Sequence, residues 1–530
     1  MLFTSYGFLV FLLLVFVVYY VLPGRLQWMF LLLASYVFYC FSGVGNLCYI
    51  VFTTVSTYLI TRQLQGLKDA EAACLKERRG EMSREERKAY KEQAKKKQWK
   101  WLLACLILNI GMLAVVKYTN FAIYNINGIL GLVKSSGRLS FLDIALPMGI
   151  SFYVFQSMGY AIDVYRGKYR AEENFFKLAL FVSFFPQLIQ GPISRFDSLA
   201  VSLYEPHRFQ GRTVAFGLQR ILWGFFKKLV IADRLVVAVN TLIGDTGAYP
   251  GAWVFVGMLF YALELYADFT GGIDITIGIA ETLGIQVTEN FIRPYFSKNI
   301  KEYWNRWHIT MGSWFTDYIF YPISVCQPML KLGKGARKRL GEHLGKRVNI
   351  YLSAFVVWFA TGIWHGASWN FIVWGLANYV VIMASQELEP LYRLFHRRFH
   401  VKGTFCWKLF SVGRTVLLMS ALRTFDCYRD VPLTFRMFGS MFTTFNWNEL
   451  FGAKMLELGL SGIDFGIVAL GFFLLLGVSL IQRGGSVRER IAARPYPVRF
   501  VCWFGLFLLV LLWGAYGIGY DASQFIYNQF

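Results

Sequence analysis

Residues 351–385 read YLSAFVVWFATGIWHGASWNFIVWGLANYVVIMAS. The run is apolar but for one ionisable side chain, His365. It is too long for a single membrane crossing of about 20 residues. Basic stretches flank it at Lys331–Arg347 and Arg393–Lys402, and loops rich in Lys and Arg face the cytoplasm. With both flanks on that side, the chain must cross an even number of times between them. The run therefore predicts a helical hairpin whose turn, around Trp364 to Asn370, carries His365 at the junction of two half-helices. A histidine at membrane depth needs a partner, a wet cavity or a chemical task.

Working outward, the whole chain carries the same signature. Of its 530 residues 56% are hydrophobic and 16% charged, against roughly 25% charged in a soluble domain. Apolar runs occupy Phe8–Leu22, Trp28–Phe41, Leu47–Ile60, Trp101–Val116, Phe176–Leu188, Val214–Val239, Trp253–Ile279, Val412–Leu422, Phe465–Ile481 and Phe500–Gly519. The expected fold is an all-α, polytopic membrane protein with about eleven to thirteen membrane elements. Several runs are too short or too long for one simple span, which predicts broken or re-entrant helices lining a cavity. The chain reads as one integral membrane domain over 1–530, with Phe8–Leu22 a retained first span rather than a signal peptide.

The net charge of +22 resides mostly in connections beside apolar runs. It is read as cytoplasmic loop charge facing membrane lipid, not as a nucleic-acid footprint. Residues 61–100 form the longest polar stretch, with alternating acids and bases, and predict a charged cytoplasmic helix at the interface or a solvated linker. The eight cysteines show no metal-ligand spacing, and Cys40, Cys105 and Cys502 read as packing residues. No metal is expected.

Chemistry concentrates on two Trp-His pairs. His365 sits in Ile363-Trp364-His365-Gly366-Ala367-Ser368-Trp369-Asn370, where indoles exclude water and small residues leave room for substrate. An imidazole suits proton abstraction near neutral pH; the competing reading is a core histidine bonded to a backbone carbonyl. His308 lies in Trp304-Asn305-Arg306-Trp307-His308. There the pattern through Tyr318 predicts an amphipathic helix with an aromatic belt, and an interface histidine is an equal reading. His207, His343, His396 and His400 lie in polar or basic stretches and read as surface residues. Glu264 and Asp268 are one helical turn apart in an apolar run. They face a cavity or pair with Arg306 or Arg423. Asp163 and Arg166 read as a local ion pair. No GxSxG, HExxH, P-loop or GxGxxG occurs, which leaves histidine-centred transfer or transport.

These motifs resemble the membrane-bound O-acyltransferase superfamily, in particular the bacterial branch that O-acetylates alginate and other surface polysaccharides. The resemblance spans residues 146–374. It rests on Leu146-Pro147-Met148-Gly149-Ile150-Ser151-Phe152-Tyr153, Phe184-Phe185-Pro186-Gln187-Leu188-Ile189-Gln190-Gly191-Pro192-Ile193, Tyr266-Ala267-Asp268-Phe269-Thr270-Gly271, Asn290-Phe291, Pro294–Ile300, Trp304–His308 and Trp364–Asn370. The tail Phe525–Phe530 is also similar to the alginate-type branch. Thr316 replaces an arginine frequent in that branch, and Tyr321-Pro322-Ile323-Ser324 leads into a basic loop. The Trp304–His308 stretch is also similar to the branch that D-alanylates teichoic acids.

The resemblance implies a central tunnel joining a cytoplasmic donor to an external acceptor. It implies that His365 is the catalytic base and His308 a supporting or substrate-binding residue. Substrate contacts are expected from Trp304, Asn305, Arg306, Asp268, Trp364, Ser368 and Asn370. No tightly bound cofactor is implied. The donor would be acetyl-CoA or a carrier-protein phosphopantetheine thioester, and the acceptor a polysaccharide hydroxyl, reached directly or through a partner. That partner would be an extracellular or membrane-anchored esterase-like protein; an acyl-carrier protein would serve a carrier thioester. The expected location is a bacterial plasma (inner) membrane. The rival activities are D-alanyl transfer to teichoic acid and, in another class, transport or flipping of a lipid-linked sugar.

Overall fold

The computed structural model describes residues 3–133 and 137–515. Contacts among them gather into two compact units: residues 3–214 with 280–288, and 215–279 with the chain from 289 onward. The tail motif at 525–530 lies outside the described residues. Among those described, ordered structure is helical, apart from an isolated bridge between Phe291 and Trp307.

The first unit contains α1 (Tyr6–Val21), α2 (Gly24–Cys40), α3 (Leu47–Glu77), α4 (Arg84–Leu132), α5 (Ile150–Arg166), α6 (Phe175–Ser183) and α7 (Phe196–Tyr204). The charged stretch 61–100 is neither linker nor separate helix, because α3 and α4 simply continue through it. They meet at a tight turn closed by a capping box, in which Ser83 Oγ accepts from Glu86 N at 3.1 Å and Ser83 N donates to the Glu86 carboxylate at 2.8 Å. Two polar pairs stitch the arms: Gln98 Nε2 donates to Glu71 at 2.8 Å, and Asn109 Nδ2 to Ser56 Oγ at 3.3 Å. Thr53, Thr57 and Thr61 lie along one buried face of α3, the small polar seam that lets apolar helices approach closely. The pairing of Asp163 with Arg166, at 3.9 Å, is present as expected, and Lys168 joins it at 3.7 Å. His207, expected at the surface, is partly buried, its Nδ1 2.9 Å from Tyr19 Oη.

Helix α8 (Gly211–Phe225) leads into the second unit. There follow α9 (Asp233–Gly244), α10 (Ala252–Thr282), α11 (Ile300–Trp304), α12 (Ile309–Phe315), α13 (Tyr321–Ser324), α14 (Gln327–His365), α15 (Trp369–Glu387), α16 (Glu389–Phe399), α17 (Phe405–Tyr428), α18 (Val431–Thr443), α19 (Gly462–Ile481), α20 (Val487–Ala492) and α21 (Tyr496–Trp513). Between α8 and α9 the backbone widens into a π-helix over Phe226–Ala232, which buries both Lys227 and Lys228. Such local π geometry is rare and gathers at functional sites. α8 and α10 meet at their glycines: a Cβ on Gly224 would lie 2.6 Å from Gly271 O.

The predicted hairpin is present. α14 ends at His365, α15 begins at Trp369, and the two pack along their length. A Cβ on Gly375 would lie 2.5 Å from Trp358 O and one on Gly362 2.6 Å from Phe371 O, so the arms touch backbone to backbone. Among the described residues seven helices are long and apolar enough to cross a membrane. α15 with α16, bent by 48°, would make an eighth. The eleven to thirteen elements expected also counted shorter and broken runs. Tyr6–Val21 and Phe175–Gln187 are apolar but short, and the run at 214–239 is interrupted by the π segment. α5 was not among the expected runs, yet most of its residues are buried.

The amphipathic helix expected from Trp304 to Tyr318 is instead broken. α11 stops at Trp304, and His308 takes a left-handed conformation (φ 49°, ψ 52°) before α12 starts. The pairing of Ile292 N with Arg306 O, 3.0 Å, and of Ile309 N with Asn290 O, 3.0 Å, brackets that residue. It prevents a continuous helix.

Gly375→Ala should separate the hairpin arms and cost about 1–3 kcal/mol by overpacking. The check is the midpoint of heat-induced aggregation in detergent, read by size-exclusion chromatography; an unchanged midpoint would refute the close contact.

Candidate active site

The two Trp-His pairs converge within the second unit. His308 is fully buried and His365 is 7% exposed. Both pack against one indole: the ring centroid of Trp364 lies 6.0 Å from His308 and 5.1 Å from His365. Trp374 meets His365 edge-on at 4.6 Å, and Phe371 lies parallel to it at 6.5 Å. Phe269 meets His308 edge-on at 5.0 Å.

Local sequence explains how each histidine is presented. His365 is the last residue of α14, and Gly366 N returns to Gly362 O at 3.3 Å. Residue 366 must be glycine, since a Cβ there would overlap the Phe371 ring at 2.1 Å. Ser368 Oγ donates to Asn370 Oδ1 at 2.5 Å, and Asn370 Nδ2 donates to Phe425 O at 3.1 Å. The turn is thereby moored to α17.

His308 is held by Asn290. The Asn290 Oδ1 atom accepts from Thr310 N at 3.1 Å and Thr310 Oγ1 at 2.9 Å, and lies 3.2 Å from His308 Nδ1. A backbone N–H can only donate, so the amide oxygen must face it, and His308 Nδ1 must carry the proton. The lone pair of the neutral ring is then on Nε2. Burial, and secondarily the cation of Arg423, depress the imidazole to about 3, so His308 is neutral at physiological pH. A non-glycine residue in the left-handed region costs on the order of 1–3 kcal/mol and persists only where its surroundings over-determine it. The Asn290 clamp supplies that determination.

Arg423, on α17, is 4% exposed. Its guanidinium lies 4.7 Å from the ring centre of Trp307, 5.4 Å from Trp374 and 5.8 Å from Trp304. Each desolvated cation–π contact contributes up to about 2 kcal/mol. Trp304 closes this box against Trp358 at 5.0 Å and Trp374 at 5.8 Å.

Of the residues expected at the site, His308, His365, Trp304, Trp364, Ser368 and Asn370 are brought together. Asn305 is exposed at the end of α11. Arg306 pairs with Glu302 at 2.6 Å on its own turn. Asp268 binds Lys228 at 2.6 Å, and that ammonium also binds Asp233 at 2.8 Å; Asp268 of α10 thus meets a π-helix lysine rather than Arg306 or Arg423, as does Asp274 through Lys227. Asn290 and Arg423 had no site role in the sequence reading. Arg423 carries the same signal as His365, a charge in an apolar run. Asn290 lies 18 residues from His308, with no periodicity connecting them.

Comparison with known proteins matches the family of membrane-bound O-acyltransferases (MBOAT) over residues 170–335. A probable alginate O-acetylase AlgI of Pseudomonas putida is 32% identical over 486 residues, covering 89% of this chain and 87% of that protein. The chain belongs to the membrane-bound O-acyltransferase family. It is accordingly a multi-pass membrane enzyme that transfers acyl groups to oxygen, and the transporter reading falls away. A peptidoglycan O-acetyltransferase of Helicobacter pylori is 29% identical over 394 residues, 69% of this chain and 66% of that protein. A teichoic acid D-alanyltransferase of Bacillus subtilis is 27% identical over 248 residues, 46% of this chain and 59% of that protein. The family match contains the Asn290 clamp, the Trp307-His308 pair and the π-helix lysines, while the Trp364-His365 pair lies beyond it.

Asn290→Ala should release His308 while leaving the helices in place, lowering kcat about 10- to 100-fold; wild-type turnover in the folded variant would overturn the clamp. Asp268→Asn weakens a buried ion pair whose lysine keeps Asp233, so a loss of roughly 1–3 kcal/mol in stability is expected. KM for the acyl donor should stay unchanged, and a raised KM at unchanged stability would place Asp268 on the substrate instead.

Proposed function

We propose that the enzyme moves an acetyl group from a cytoplasmic thioester, acetyl-CoA or a carrier-bound phosphopantetheine, to a hydroxyl of a cell-surface polysaccharide. The observation that carries this reading is the convergence of His308 and His365 on Trp364. In the proposed step the acceptor hydroxyl oxygen attacks the thioester carbonyl carbon while His365 takes its proton. The tetrahedral intermediate collapses, the C–S bond breaks, and the thiolate leaves and is protonated. His308, with its proton on Nδ1 toward Asn290, offers a lone pair at Nε2. It is therefore suited to accepting from and orienting a substrate hydroxyl rather than donating to an oxyanion. The buried indole N–H groups of Trp304 and Trp374, which have no acceptor among the described residues, are the donors available to the developing negative charge.

Acetyl is favoured over D-alanyl because the relatives named as O-acetylating enzymes match 89% and 69% of this chain, and the D-alanyltransferase 46%. The acceptor would be reached directly or through an extracellular or membrane-anchored esterase-like partner. The enzyme would sit in a bacterial plasma membrane with its basic connections inside.

The test is acetyl transfer in membrane vesicles supplied with labelled acetyl-CoA. Wild-type vesicles should label polysaccharide, and His365→Ala should lose about 100- to 10,000-fold in rate at equal protein level. Normal transfer by the variant would rule out the base. Labelling from a D-alanyl carrier protein but not from acetyl-CoA would replace the acetyl reading.

A further inference from the structure

A cavity lies in the same unit, with a volume of about 720 Å³, well within the range of roughly 300–1,000 Å³ for ligand sites. Its lining includes four cations, Arg220, Lys227, Arg293 and Arg488, and two carboxylates, Asp274 and Glu289. At its floor the charges are matched. Arg220 binds Asp274 at 3.0 Å and Glu289 at 2.6 Å, and Lys227 binds Asp274 at 2.5 Å. Four cations against two carboxylates leave the lining net positive; Arg488 Nη1 donates to Phe216 O at 2.7 Å, which fixes its guanidinium in the wall. Arg293 is itself in the left-handed region (φ 49°), its guanidinium 4.5 Å over Phe296, and its buried Nε has no acceptor among the described residues.

The opposite wall is hydrocarbon. Leu474 and Val478 from α19, with Trp503 and Leu509 from α21, face the cavity. These two helices are the least buried of the seven candidate spans, so their outer faces belong in lipid. The cavity lies at their linked ends: Gln482 and Gly485 close α19, and Ser486 and Arg488 open the connection to α21. That connection holds Arg483, Arg488, Arg490 and Arg494, with Arg499 following in the first turn of α21, which assigns it to the cytoplasmic face. Cation-rich pockets between spans on that face suit lipid phosphates.

We propose that this cavity holds an anionic phospholipid of the cytoplasmic leaflet, its phosphate between Arg293 and Arg488 and one chain along α19 and α21. The hydrocarbon wall selects a membrane amphiphile over a water-soluble phosphate. The site borders the histidine cluster without being part of it: its lining residue Phe291 meets Trp307 edge-on at 5.0 Å and stacks on His308 at 6.5 Å.

The experiment delipidates the purified full-length protein in detergent and mixes it with phosphatidylglycerol/phosphatidylcholine vesicles at 1:1. Native mass spectrometry then reads the lipid retained. Wild type should keep phosphatidylglycerol in preference to phosphatidylcholine. Arg293→Gln/Arg488→Gln should lower that retention about tenfold or more, and Val478→Trp, which fills the hydrocarbon wall and spares both arginines, should lower it as well. Arg494→Gln/Arg499→Gln removes the same charge outside the cavity and should leave retention unchanged. Should the double arginine variant fail to fold, Val478→Trp decides alone. Equal retention by the folded variants overturns the site, as does equal retention of phosphatidylcholine. Equal loss in the Arg494/Arg499 control would reduce it to bulk attraction, and displacement of the lipid by added coenzyme A would reassign the cavity to a soluble donor.

Discussion

A single buried cation organises the second unit. Arg423 is almost wholly buried, and a charge in that position is tolerated only if its surroundings replace hydration. Three indoles contribute, one from α11, one from the turn after it and one from α15, together with the Tyr303 hydroxyl and the Asp426 carboxylate. Two of the three adjoin a histidine: Trp307 precedes His308, and Trp374 packs on His365. The requirement to bury Arg423 thus draws both histidine-bearing turns to α17. Burial keeps His308 uncharged, and the same cation adds repulsion in the same direction.

Around that centre the backbone is used unusually. His308 and Arg293 are both left-handed, and the isolated bridge between Phe291 and Trp307 joins the loops that carry them. Irregular backbone is costly in a lipid-embedded chain unless protein groups satisfy it. Asn290 meets that demand with its side-chain oxygen and its carbonyl. The result is a histidine whose ring is held by the Asn290 side chain.

The fold class was legible from hydropathy, and the hairpin at 351–385 from loop charge. Its turn was placed correctly because length and basic flanks leave one solution. Which of the expected elements cross on their own was not legible, since a 16-residue apolar run such as Tyr6–Val21 and a full crossing look alike to a composition window. The helix expected across 304–318 failed because side-chain periodicity does not report φ at one residue. His365 and His308 were found because a titratable group among indoles is conspicuous. Asn290 was not, because its role depends on tertiary pairing between two loops. Asp268 was noticed for its charge, but its partner Lys228 sits on a π-helix, which no periodic pattern announces.

The α3–α4 hairpin has a mechanical consequence. At about 1.5 Å per residue, the 49 residues of α4 extend roughly 74 Å, more than twice the approximately 30 Å of a bilayer's hydrocarbon core. The polar stitches at Gln98–Glu71 and Asn109–Ser56 fall on either side of the point where α4 turns from charged to apolar. The protruding arm and the embedded arm are therefore one stiff lever, and a torque applied at the Arg78–Ser83 tip is delivered to the interior of the first unit.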